Sequence, residues 1–201
     1  MKTKTKALCL TLAAVVLVAA TFFGTMAYLT STTETVNNTF TVGKVKITLD
    51  EAKVDDSGNV NDSSTRVTQN TYKLMPGHTY VKDPTVHFKA GSEASWLFVE
   101  VKNGIADIES KDTDYKNIEA QIKEKGWTAL TGVTGVYYKE VLASGDADVD
   151  YPVFANFKID GSVDGTTLET YAGKTVEVTA YAVQKDGFDD AKTAWTTGLG
   201  K

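Results

Sequence analysis

Apolar residues recur with a period of two along most of this chain, in short runs separated by turn-forming residues, and that pattern leaves little room for anything but β-structure. Phe40, Val42, Val45, Ile47 and Leu49 alternate with polar residues, with one phase shift at Gly43 of the kind a bulge introduces. Further strands are predicted over Tyr80 to Phe88, Trp96 to Lys102, Trp127 to Leu130, Val136 to Leu142, Val153 to Ile159 and Val176 to Gln184, with a short one over Thr71 to Leu74. The breaks carry turn chemistry. Pro76 presets φ, Gly77 supplies a positive φ, and Asn103-Gly104 closes the aromatic strand before it. Asp55 to Thr65 holds almost nothing apolar and reads as a long exposed loop.

Two places depart from the alternation. Tyr115, Ile118 and Ile122 recur at helical spacing, with Gly126 where a C-cap belongs. Near the C-terminus, Phe188, Ala191 and Trp195 fall on one side of a helical turn with Asp189 as its N-cap, placed to cover an open end of the fold. The predicted class is all-β: a two-sheet jelly-roll-like sandwich of about eight strands, with a short helical excursion in the middle and a C-terminal helical turn.

The first residues obey different rules. Lys2, Lys4 and Lys6 precede an apolar run from Ala7 to Phe23, and Thr25-Met26-Ala27 then offers small residues where a signal peptidase reads. Residues 1–27 are therefore predicted to be a signal peptide cut between Ala27 and Tyr28, with Thr25 and Ala27 at the recognition positions. An uncleaved run of this length would instead be a membrane anchor. Cleavage predicts a secreted protein in the extracellular matrix or at the cell surface, engaging the membrane only transiently during export.

Removing 27 of 201 residues leaves 174, enough for a segment at 28–39 followed by one jelly-roll-like domain at 40–201. Only the three leader lysines are lost from the charge count, so 18 basic residues face 26 acidic ones, a formal charge of −8. That balance argues against nucleic acid as a partner. The single cysteine, Cys9, leaves with the leader, so no disulfide, thiolate nucleophile or cysteine-bound zinc is expected.

Parts for catalysis are scarce. His78 and His87 are the only histidines, and no His-Glu-x-x-His pattern accompanies them, so neither is assigned to a metal. Asp55 to Asp62 resembles a calcium loop, but the sixth position is Val60 instead of glycine and the twelfth is Arg66 instead of glutamate. Asp146, Asp148 and Asp150 fall on one side of an extended segment and could gather Ca²⁺, although a solvated acidic loop is the plainer reading. Trp96, Phe98, Tyr137, Tyr138, Phe154, Phe157 and Tyr181 are spaced as core and sheet-face residues instead of a sugar platform. No cofactor is predicted, and no enzymatic activity.

Three blocks carry a family resemblance. Gly24-Thr25-Met26-Ala27-Tyr28 followed by Asn38-Thr39-Phe40-Thr41-Val42-Gly43-Lys44-Val45 resembles the start of the TasA and camelysin family of exported proteins. Leu74 to Asp83 is similar to that family's Leu-x-Pro-Gly turn and strand, with His78 standing where the family pattern has aspartate, and Val176 to Gln184 resembles its last core strand. The resemblance implies processing by a SipW-type signal peptidase, a jelly-roll fold, and assembly with further copies of itself into biofilm-matrix fibres. Some family members are called metalloproteases, but this sequence shows no zinc-protease motif.

The segment behind the cleavage site suits assembly. Tyr28, Leu29, Thr30, Ser31, Thr32, Thr33, Glu34, Thr35 and Val36 favour β-structure and include no proline or glycine, so they can pair with a sheet edge. An ordinary first strand or an unstructured tail is equally compatible with the residues, and the resemblance favours donation to a neighbouring subunit. The function expected is a secreted structural fibre subunit. A secreted adhesin or glycan- or protein-binding module is the alternative, with a camelysin-like protease behind it.

Overall fold

A computed structural model describes residues 43–62 and 64–201. These belong to the second of two compact units, Val42–Lys201. The chain is all-β, as expected at that level: the described residues form ten strands in three antiparallel sheets, joined by a few short helices.

The first sheet is ordered β2-β1-β4-β8 and is built from β1 (Ile47–Ala52), β2 (Arg66–Val67), β4 (Thr85–Phe88) and β8 (Val149–Pro152). In it Thr48 lies opposite His87, and His87 opposite Asp150. The second, β10-β5-β7-β6, joins β5 (Ser95–Asn103), β6 (Thr128–Ala129), β7 (Val136–Val141) and β10 (Val176–Gln184). The third pairs β3 (Thr79–Val81) with β9 (Asn156–Lys158). Side chains from all three meet in one core, with Val86 and Phe88 from β4, Leu97 and Val99 from β5, and Tyr80 and Phe157 from β3 and β9.

Strand β5 opens with the continuous bulky run Trp96-Leu97-Phe98-Val99 because that part is buried on both faces. Leu97, Val99 and Val101 enter the main core, while Trp96 and Phe98 join a second cluster with Leu130, Val136, Ala191, Ala194 and Trp195. The C-terminal helix Ala191–Thr193 and the wider turn Ala194–Gly198 thus cover the outer face of the second sheet, a different place from the open end the sequence indicated. Its N-cap is Asp190, whose carboxylate accepts from the Thr193 N–H at 2.8 Å, one residue beyond the predicted Asp189.

Several boundaries move for identifiable reasons. The run from Tyr80 to Phe88 divides at Lys82-Asp83-Pro84, where proline has no N–H to give a ladder, and the halves join different sheets. That break creates the third sheet beyond the two expected. Thr71 to Leu74 is not a strand: Tyr72 and Leu74 pack against the core from an irregular segment whose Lys73 N–H is bound by the Asp56 carbonyl, and Arg66–Val67 pairs with β1 instead. The first strand starts at Ile47, after Val45, and the earlier part of its predicted run lies outside the described residues. Val153 to Ile159 shrinks to β9, while the acidic stretch before it supplies β8. A helix at Gly165–Glu169, capped by Asp164, was not foreseen.

The stretch from Asp55 is more organised than an exposed loop. The Asp55 carboxylate accepts from the Ser57 and Asn59 N–H groups, closing a tight turn that presses the buried Gly58 against Tyr80. The helix at Ile118–Glu124 and its glycine cap agree with expectation, Asn117 capping its start and Gly126 adopting φ +80° at its end. Among the described residues no helix is long and apolar enough to cross a membrane.

Candidate functional site

Strand β10 has a single neighbour among the described residues, β5, and so presents an open edge. Its pairing decides which groups are free. Thr175 and Gly104 form a hydrogen-bonded pair, as do the alternate positions after them, so Val176, Val178, Ala180 and Ala182 turn their N–H and C=O groups outward. The side chains of these four pack toward the main core. One face of the strand is thereby anchored while its edge stays available.

A groove of about 1040 Å³ runs along this edge. One wall is β10 from Val176 to Thr179, and the opposite wall is Leu49 to Glu51 of β1 with the segment from Val67 to Leu74. The helix Gly165–Glu169 and the residues after it, Leu168 and Tyr171 among them, border one end, and Ile105 and Phe157 lie at the base. Tyr72, Leu74 and Leu168 are only partly buried. The groove therefore combines unpaired strand edge with apolar surface, the two features a visiting β-strand uses. A polar group stands in one wall: Lys82, Glu51 and Asn70.

The outer face of the first sheet carries a chain of charges. Arg66 donates to Asp50 and to Asp83, each at 2.7 Å. His87 reaches Asp50 with Nε2 at 2.9 Å and Asp150 with Nδ1 at 2.6 Å. Both partners are carboxylates, so the arrangement favours the imidazolium form, in which both ring nitrogens donate. Burial opposes the charge, but the hydrogen bonds His87 gives to Asp50 and Asp150 outweigh it and hold its pKa above the ordinary value. Asp50 is held below the usual carboxylate range: burial opposes this, and its bonds with His87 and Arg66 prevail.

A raised folded-state pKa stabilises fully below the unfolded value near 6.5 and is lost as pH rises through the folded value, whereas Asp50 contributes only above the unfolded carboxylate range. The stabilisation from this chain is therefore greatest between about pH 4 and pH 6.5. Comparing urea midpoints of the natural protein and a His87→Gln variant should show the gap widest near pH 5.5 and narrowing above about pH 7. A gap that is constant with pH would show that His87 contributes by packing and not by charge.

The other predicted residues are not brought into one site. His78 is a turn residue whose Nε2 lies 2.8 Å from the Ser57 carbonyl oxygen. Asp148 binds Lys89 Nζ at 2.9 Å and the Ala90 N–H at 2.8 Å, while Asp150 is committed to His87. Among the described residues no three His, Cys, Asp or Glu side chains are grouped to hold a metal ion. Trp96, Phe98, Tyr137, Phe154 and Phe157 are buried, and Tyr138 and Tyr181 pack against the second cluster, which agrees with their predicted core and sheet-face roles. Thr25, Ala27 and the segment Tyr28 to Val36 lie outside the described residues. The groove walls at Thr68 to Asn70 and Tyr171 to Thr175 are turns and irregular backbone without periodic signal, so nothing in the sequence indicated them. No family model matches this chain, and neither a curated protein nor a solved structure does.

Proposed function

We propose that this protein is an exported, non-catalytic structural subunit that polymerises into extracellular fibres by strand exchange. The reading includes a jelly-roll-like sandwich, kinship with the TasA and camelysin family, and removal of residues 1–27 by a SipW-type signal peptidase. The freed segment from Tyr28 to Val36 of one copy adds to the open edge of β10 in the next. The observation that supports this reading is the groove beside Val176 to Thr179, where the outer edge of β10 has no strand partner among the described residues and apolar side chains lie around it. A handful of added backbone hydrogen bonds, at about 0.5 to 1.5 kcal/mol net each, together with burial of apolar side chains, suffices to hold neighbours together.

Two variants test donor and acceptor separately. Deleting residues 28–36 is expected to leave a folded monomer that forms no filaments by negative-stain microscopy. Val178→Lys is expected to keep the donor but put a charge in the groove, and it too should fail to polymerise. Mixed together they should stop at a one-to-one pair, seen by light scattering coupled to size exclusion. Filaments from the deletion variant indistinguishable from those of the natural protein would rule out strand donation.

A further inference from the structure

Three side chains in the groove wall, Glu51, Lys82 and Asn70, are joined through one carboxylate. Glu51, at the end of β1, is 4% exposed. Its Oε2 accepts from Lys82 Nζ at 2.7 Å, and its Oε1 accepts from Asn70 Nδ2 at 3.0 Å, so one carboxylate holds an amine and a carboxamide side by side. The Lys82 side chain is itself only 11% exposed. Asn70 is fixed at both ends of its amide: Nδ2 also donates to the Ala52 carbonyl at 2.9 Å, and Oδ1 accepts from the Val54 N–H at 3.1 Å. Tyr72 lines the same groove, and its hydroxyl pKa is pushed up by burial first and the Glu51 charge second, which marks the surroundings as poorly hydrated.

We propose that Lys82 and Asn70 join in a self-catalysed intramolecular amide bond, with Glu51 transferring the protons. The 2.7 Å contact between Glu51 Oε2 and Lys82 Nζ places the carboxylate to accept the amine's proton. Glu51 takes a proton from the Lys82 ammonium, leaving Nζ a lone pair. That pair attacks Asn70 Cγ, and the Cγ–Oδ1 π electrons move onto Oδ1, where the Val54 N–H stabilises the developing charge. Glu51 delivers its proton to Nδ2, which it already holds, and receives the next from Nζ. The Oδ1 electrons return, the Cγ–Nδ2 bond breaks, and ammonia departs through the groove, becoming ammonium with the remaining proton. One ammonium and one carboxamide give one secondary amide and one ammonium ion. Glu51 ends as it began, and no oxidant or other reactant is consumed.

The roles follow from position. A nucleophile and its leaving group on the two oxygens of one carboxylate is the geometry a single proton-transfer group needs. The product would tie the irregular groove wall to the β3–β4 junction around the Pro76-Gly77 turn, a covalent staple in a chain whose sole cysteine is Cys9. The reaction does not depend on strand exchange and would occur in the isolated subunit.

Mass spectrometry of the purified protein, with its N-terminus sequenced, decides the matter. The folded chain should weigh about 17 Da less than its sequence requires, the mass of one ammonia. Tryptic cleavage after Lys82 should be blocked, with a branched peptide joining the Asn70 and Lys82 segments. Lys82→Arg keeps the ion pair and should restore the full mass, as should Glu51→Gln. If Glu51→Gln does not fold, the natural protein and Lys82→Arg are sufficient. A natural protein at full mass with normal cleavage after Lys82 overturns the proposal, as does a gain of about 1 Da from simple hydrolysis of the Asn70 amide. A folded Glu51→Gln protein that still carries the branched peptide overturns the role given to Glu51.

Discussion

Truncating Trp127 to alanine is expected to destabilise the protein by about 3 to 5 kcal/mol, the range for removing a large aromatic side chain from a close-packed interior. The indole is 2% exposed and belongs to the main core. Its Nε1–H donates to the Pro152 carbonyl at 2.9 Å, so alanine also removes the indole's bond to the end of β8. Lys139 Nζ lies 5.4 Å from the ring centroid and would lose that contact too. Urea unfolding with an unchanged slope should report the loss as a shift in midpoint. A shift below about 1 kcal/mol would mean that the site collapses around the deletion far more completely than most cores do.

Gly58→Ala is expected to be nearly as harmful, although it adds only one methyl group. Gly58 has φ +77°, and a Cβ there would lie 2.8 Å from the Tyr80 Cα and 2.7 Å from its ring. The backbone conformation costs about 1 to 2 kcal/mol for an L-residue, and overpacking against a buried backbone adds a similar amount, so the expected loss is about 2 to 5 kcal/mol. Gly145→Ala is the control. Its φ is +62° with nothing within 4 Å of the added Cβ, so only the backbone strain applies. Equal losses at the two positions would show that the contact with Tyr80 is accommodated by movement of the turn.

Period-two alternation made the long strands legible. Val176 to Gln184 is a strand over its full predicted length because its alternation is long, whereas Trp96 to Lys102, which lies within β5, was legible from its concentration of aromatic and branched residues. Where tertiary pairing decides, the sequence carried less. Arg66–Val67 is a strand only because β1 extends past β4 and accepts it, whereas Tyr72 and Leu74, stronger strand formers, are held by packing instead. The polar turn at Asp55 looked solvated because hydrophobicity records side chains, and what packs there is the bare backbone of Gly58. The triad did leave a trace. Glu51 continues the inward phase set by Ile47 and Leu49, and Lys82 follows the buried Tyr80 at the same two-residue step, so two ionisable residues occupy positions the alternation assigns to the interior.

The double-sided burial of β5 has a kinetic consequence. One face of that strand is completed by the main core and the other by Ala191, Ala194 and Trp195, while its edge is paired along its whole length with β10. A chain emerging from its N-terminus therefore produces its most central strand roughly midway and the residues that finish it last. These distant pairings carry a large loop-closure cost, which slows folding. Until Ala191 to Trp195 are made, Trp96 and Phe98 lack that cover, and transiently exposed apolar surface of this kind favours aggregation over folding. Completion of this face of the fold is thus coupled to synthesis of Ala191 to Trp195, long after β5 itself has been made.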